Sequence, residues 1–279
     1  DAVTLGAGTT LTGTAITFDK TIDGAHDLTV DASGTTTFGG AVGGTTALAS
    51  LTTDAAGSVR INGGAITTSG AITLNDAVVL GAATTISTSN ANVSFGSTVA
   101  SADAAARSLT IDAGTGDVSF ASTVGSGNAL GALVVNGGNT VFDGAVTAAS
   151  LTTDAGGTVA ITGGSITTTG AITINDAVGL GMDTVLSGTN VTLASTVDGT
   201  HDLTVNASGT TTFGGAVGAT TALASIEVDS TGGIAINGGA IKTSGAQTYH
   251  DAVTLGDDAT LAGHTITFDS TIDGAQSLT

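Results

Sequence analysis

The stretch Leu51-Thr-Thr-Asp-Ala-Ala-Gly-Ser-Val-Arg-Ile-Asn-Gly-Gly-Ala-Ile66 holds the pattern on which the rest of the chain is built. Its opening phrase, Leu/Ile-Thr-x-Asp/Asn, returns as Leu28-Thr-Val-Asp31, Ile72-Thr-Leu-Asn75, Leu109-Thr-Ile-Asp112 and Leu151-Thr-Thr-Asp154. It returns again as Ile172-Thr-Ile-Asn175 and Leu203-Thr-Val-Asn206, and more loosely at Leu133-Val-Val-Asn136 and Ile226-Glu-Val-Asp229. Weaker copies start at Leu11, Ile86, Leu186 and Leu261. From Leu11 to Ile86 the steps are 17, 23, 21 and 14 residues, just under 19 on average. Thr, Val, Ile and Phe dominate, types that suit a pleated, half-buried surface. Ser108-Leu-Thr-Ile-Asp112 alternates as a strand does, and Asp31-Ala-Ser-Gly34 and Asn62-Gly-Gly64 punctuate the runs as turns. No 12-residue stretch carries a 3.6-residue period with helix caps.

A longer period contains the short one. Asp-Ala-Val begins at Asp1, Asp76, Asp176 and Asp251, giving blocks 1–75, 76–175, 176–250 and 251–279. Residues 21–50 and 196–225 differ at four of thirty positions, and residues 251–279 match residues 1–29 at 20 of 29. A chain that starts and ends inside an array is expected to be a piece of a longer one. A unit of two or three short strands cannot bury its own apolar face, so copies must stack. The expected fold is all-β: a right-handed parallel β-helix (β-solenoid) of about 15 coils of about 19 residues, one continuous segment over 1–279. A string of β-sandwich domains fits so short a unit less well.

Composition agrees. The chain has 279 residues and 26.3 kDa, with 44 Gly, no Trp and 3% aromatic residues, so its core is thin. Mean hydropathy of +0.42 with 10% charged residues argues against disorder. No run of about 18 apolar residues is present, which argues against membrane insertion. There are 23 acids, all Asp except Glu227, against Lys20, Lys242, Arg60 and Arg107, for a net charge of −19. Such a surface does not bind nucleic acid. Zero Cys removes disulfides and thiolate chemistry, and zero Pro suits a chain that is ladder nearly throughout.

Several residue sets are candidates for function. The seven Phe residues read as a stacked core ladder rather than sugar-binding platforms. Asp31, Asp54, Asp112, Asp154 and Asp229, with Asn75, Asn136, Asn175 and Asn206, read as one polar ladder in which His250 takes the slot after Gln247. Two readings stand open: a structural corner, or a ladder of carboxylates holding Ca2+. His26-Asp27 and His201-Asp202 are one slot in two copies, hence a copied surface turn. Nothing singles out one Ser for a Ser-His-Asp arrangement, and four scattered Lys/Arg do not suit a lyase of acidic sugars. No catalysis and no required cofactor are expected. Thr35–Thr37, Thr84–Thr88 and Thr210–Thr212 raise the alternative of a Thr-rich face for ice or glycan, although no regular Thr row is visible along the chain.

The units Ser108–Phe120 and Leu51–Ile66 resemble the shafts of filamentous-haemagglutinin-like bacterial exoproteins and adhesins, over essentially the whole chain. The resemblance implies a right-handed β-helix exported to the bacterial surface, where it holds binding regions away from the cell. That family's secretion-recognition domain has no counterpart here. The expected function is a structural, non-catalytic rod segment of a large secreted surface adhesin or extracellular filament. The expected partners are further copies, end to end or side by side, neighbouring repeats of the same chain, and host or matrix glycans. The expected location is extracellular, at the bacterial cell surface.

Overall fold

The computed structural model describes residues 1–279 as short strands joined by turns and bends, with no helix. The chain divides into two compact units, Asp1–Ala148 and Ala149–Thr279.

In the first unit three parallel ladders run side by side. One carries Val3, Ile22, Val42, Ile66, Ile86, Ile111 and Val135 on successive turns. The second carries Thr9, Leu28, Leu51, Ile72, Val93, Val118 and Thr140. The third carries Ile16, Thr36, Val59, Val78, Val99, Val124 and Val146. Each turn therefore contributes a strand, or at Val42 and Val124 a single bridge residue, to each of three faces. The second unit repeats the plan, with one ladder through Leu151, Ile172, Val191, Thr211, Ile234, Val253 and Ile272. Its other two pass through Val159, Val178, Val197, Val217, Ile241 and Leu261, and through Ile166, Leu186, Val205, Val228, Tyr249 and Phe268.

The fold is thus a parallel β-solenoid of about 14 turns, spaced about 20 residues apart. The sequence had suggested slightly more and shorter coils, and the weak copies explain the difference. Ile72 and Ile86 lie on different ladders, opposite Val93 and Ile111 respectively, so the 14-residue step is a passage between faces and not a coil. The copies at Leu11, Ile86 and Leu186 also sit two residues out of register, because Thr9, Thr84 and Thr184 oppose Leu28, Leu109 and Leu203. Residues stacked on neighbouring turns are separated by as few as 19 and as many as 25 positions.

Burial alternates along the strands, as in Val93–Phe95 and Ile172–Ile174, where the flanking residues are buried and the middle one looks outward. Inward Val, Leu and Ile fill the core at roughly 1.5–3 kcal/mol each. Five of the seven Phe residues stack on one another, whereas Phe213 lies between Leu193 and Ile236 and half-buried Phe268 stacks on Tyr249. Phe95 and Phe120 lie 4.8 Å apart and parallel to within 1°, and Phe142 continues at 5.2 Å. Phe18 and Phe38 form a shorter stack at 5.7 Å.

The long repeat does not keep step with the coil. In the first unit Val3 and Val78, both from Asp-Ala-Val, lie on different ladders. In the second unit Val178 and Val253 do the same. A block of 75 residues is not a whole number of turns, so equivalent phrases face different directions.

Candidate functional site

That mismatch breaks the expected single line of aspartates. Asp31 follows the strand segment Leu28–Val30, which pairs with Leu51–Thr53, so Asp31 and Asp54 occupy neighbouring rungs with Asn75 next. Gly96 then ends the row, its N–H donating to the Leu74 carbonyl. Asp112 lies on another ladder, opposite Asn136. In the second unit Asp154 follows the Leu151 ladder, whereas Asp229 stands opposite Asn206 on a separate one. No group of three or more His, Cys, Asp or Glu side chains is arranged so that it could hold a metal ion.

Their visible work is local. Asp54 accepts the Ala32 N–H at 3.1 Å, and Asp112 accepts the Asn136 amide at 2.6 Å. Other aspartates do the same for corners the sequence left unmarked. Asp23 accepts the N–H groups of Thr45 and Thr46 at 2.7 and 3.0 Å, and its repeat copy Asp198 takes those of Thr220 and Thr221 at 2.8 Å each. The two N–H donors, Thr46 first, hold the Asp23 carboxyl below the usual range. Asp176 is buried and accepts Gly156 and Gly157. Asp76 is buried too, and desolvation, with the Asp54 charge adding to it, raises its carboxyl above the usual range.

His26 and His201 part company although their surroundings are copies. His201 Nδ1 lies 3.4 Å from Asp183, whereas the position matching Asp183 beside His26 is Gly8.

One coil departs from the rest. Residues 71–75 and 171–175 read Ala-Ile-Thr-Leu-Asn and Ala-Ile-Thr-Ile-Asn, but 246–250 read Ala-Gln-Thr-Tyr-His. Two apolar core positions have become Gln247 and Tyr249, both fully buried. Gln247 donates to the carbonyls of Ile241 and Ala262 at 3.1 and 3.0 Å, and its amide oxygen accepts the Tyr249 hydroxyl at 2.9 Å. Every polar atom of the pair is thereby engaged, which makes burial tolerable. Tyr249 stacks on Phe268 at 5.0 Å, and burial pushes its hydroxyl far above the usual range. On the outer side of the same strand, His250 Nδ1 meets Asp269 at 2.7 Å and Nε2 meets Glu227 at 3.1 Å. The sequence placed His250 in the Asp/Asn slot but gave no sign of these partners.

Two polar surfaces also went unseen. In the first unit Thr10, Thr29, Thr52, Thr73, Ser94 and Ser119 stack rung upon rung on one face, with Ser119 donating to Ser94 at 3.0 Å. The row escapes the eye because its spacing along the chain varies. In the second unit an open groove of about 400 Å³ is lined by Thr168, Ser187, Thr189, Asn206, Asp229 and Thr231. Thr168 and Thr231 direct their hydroxyls at backbone carbonyls of Gly170 and Ser208. Ser187, Asn206 and Asp229 follow one another at matched register.

No family model, no curated protein and no solved structure matches the chain.

Proposed function

We propose that this chain is a structural, non-catalytic spacer segment of a large secreted bacterial surface adhesin or extracellular filament. The observation that supports it is the uniformity of the coils. Turn after turn, the same parallel ladder and the same small apolar core recur, and aspartates such as Asp23, Asp54, Asp176 and Asp198 accept backbone N–H groups of a neighbouring turn. A catalytic role would need convergent, unspent groups, and the most divergent coil spends its polar groups on one another. The acidic surface keeps segments apart in solution. Cryo-electron microscopy of the native material tests the reading: extended particles with an axial repeat of about 4.8 Å are expected. Compact particles without that repeat would overturn it. Chelation is expected to leave the particles unchanged, because the aspartates form no single continuous ladder and bond neighbouring backbone and amide groups.

The groove of the second unit favours a second reading, a glycan-binding module. Carboxylate, carboxamide and hydroxyl on successive rungs match the donors and acceptors of a sugar's neighbouring hydroxyls. Its volume lies within the usual range for ligand sites, about 300–1,000 Å³. With no aromatic platform, binding at one groove is weak. Titration with a neutral oligosaccharide such as cellotetraose, followed by amide resonances of Ser187, Asn206 and Asp229, tests it. Saturable shifts that vanish in Asn206→Ala favour the module, and no shift at millimolar sugar rejects it.

A further inference from the structure

We infer that His250, held between Glu227 and Asp269, is a proton-operated clamp that ties three successive turns of the second unit together. Glu227 lies in strand Ile226–Ser230, His250 directly follows strand Ala246–Tyr249, and Asp269 directly follows strand Thr265–Phe268. These three strands are consecutive rungs of one ladder. The imidazole therefore reaches back one turn with Nε2, 3.1 Å from Glu227, and forward one turn with Nδ1, 2.7 Å from Asp269.

A neutral imidazole has one N–H and one lone pair. It satisfies one carboxylate and opposes the other. Only the imidazolium donates to both, so the observed geometry is that of the protonated form. The surroundings favour it. Asp229 stands on the neighbouring turn at the register position of His250, and Asp251 follows it in the chain. Asp251 itself accepts the Ser230 N–H. From the two neighbouring strands, then, the charged groups are Glu227, Asp229 and Asp269, all acidic, and no Lys or Arg lies on any of the three strands. The hydrogen bond to Glu227, then that to Asp269, raises His250 above the ordinary His range.

The direction of the pH effect follows. A group whose pKa is raised by folding stabilises fully below its unfolded pKa, about 6.5 for His, and that stabilisation is lost as pH rises through the folded value. The clamp's window therefore closes at a point above about 6.5, as His250 loses its proton. Above that window three adjacent acids are left uncompensated at one edge, and strand Thr265–Phe268 is the one released.

The sequence carries a matching sign. Glu227 is the chain's sole Glu, and it replaces the Thr found at Thr52 and Thr152 in the same phrase. His250 replaces the Asn found at Asn75 and Asn175. Both halves of the clamp thus depart from the repeat together, on adjacent turns.

The test follows the His250 ring by NMR in the full chain, with amide exchange of Ile266, Thr267 and Phe268 corrected for intrinsic rate. A His250 midpoint above about 6.5 is expected, together with an about fivefold fall in protection of those three amides as pH rises through that midpoint. In Glu227→Gln the midpoint is expected to fall. In His250→Asn, which restores the repeat residue, the pH step in protection is expected to vanish while the β-sheet circular dichroism persists. A His250 midpoint at or below 6.5, or the same pH step in His250→Asn, overturns the clamp. Neither result bears on whether the segment is a spacer or binds glycan.

Discussion

Gly43 shows how much a single atom decides here. It has φ near +70°, and a Cβ added there would sit 2.0 Å from the carbonyl oxygen of Thr67 on the next turn. Gly218, with φ near +67° and 2.2 Å to the Lys242 carbonyl, and Gly125, with φ near +76° and 1.9 Å to the Thr147 carbonyl, stand at the same kind of corner. Each follows a buried Val that joins its ladder through single bridges, Val42, Val217 or Val124. Gly43→Ala is expected to cost about 1–3 kcal/mol, from left-handed backbone and from overlap with a carbonyl that cannot move away. Gly179 makes the opposite case, because it lies in strand Ala177–Leu180 with nothing within 4 Å of the added atom. Gly179→Ala is expected to stabilise by about 0.5–1 kcal/mol. Denaturant unfolding of the two variants checks both signs. Turns such as Asp31–Gly34 and Asn62–Gly64 were legible in the sequence, but which glycines touch the next turn was not, since that depends on a residue some twenty positions away.

A coil is the smallest element with its own stability, because its apolar side chains meet those above and below. Phe120 lies between Phe95 and Phe142, fully buried. Phe120→Ala is expected to cost about 3–5 kcal/mol and to loosen its own turn and the two neighbours first. Amide exchange at strands Val93–Phe95, Val118–Phe120 and Asn139–Phe142 would show this, and uniform loss across the unit would contradict it. Corners have their own pH response. Asp23 is held low by the Thr46 and Thr45 N–H groups, so its contribution is present above the ordinary Asp range and lost as pH falls through its lowered value. Protection of the Thr45 and Thr46 amides is expected to drop below about pH 4 in wild type and to be low at all pH values in Asp23→Ala. Strands, turns and the Phe stack were readable from alternation and residue type. Register was not. Coils of 19 to 25 residues differ enough that a 14-residue step between faces passes for a short coil. For the same reason the partners of His250, 23 positions before it and 19 after, left no trace in the spacing.

Across the whole chain, a net charge of −19 and a sequence pI near 4.1 set the solution behaviour. Repulsion keeps chains dispersed at neutral pH and fades as carboxylates are protonated. Light scattering is expected to stay flat from pH 8 to about 5 and to rise sharply near 4. If scattering instead rises with added calcium at neutral pH, cation bridging and not self-repulsion governs association. Without Cys or Pro, stability rests on ladders and a core that each turn shares only with its neighbours.

The mismatch between the 75-residue phrase and the turn of about 20 residues acts as a vernier. Within a unit, the two Asp-Ala-Val copies lie on different ladders and so face different directions. A ligand array that engages several copies at once would gain avidity only if those copies faced the same way. For that phrase, copying a block lengthens the protein without multiplying binding strength along one line.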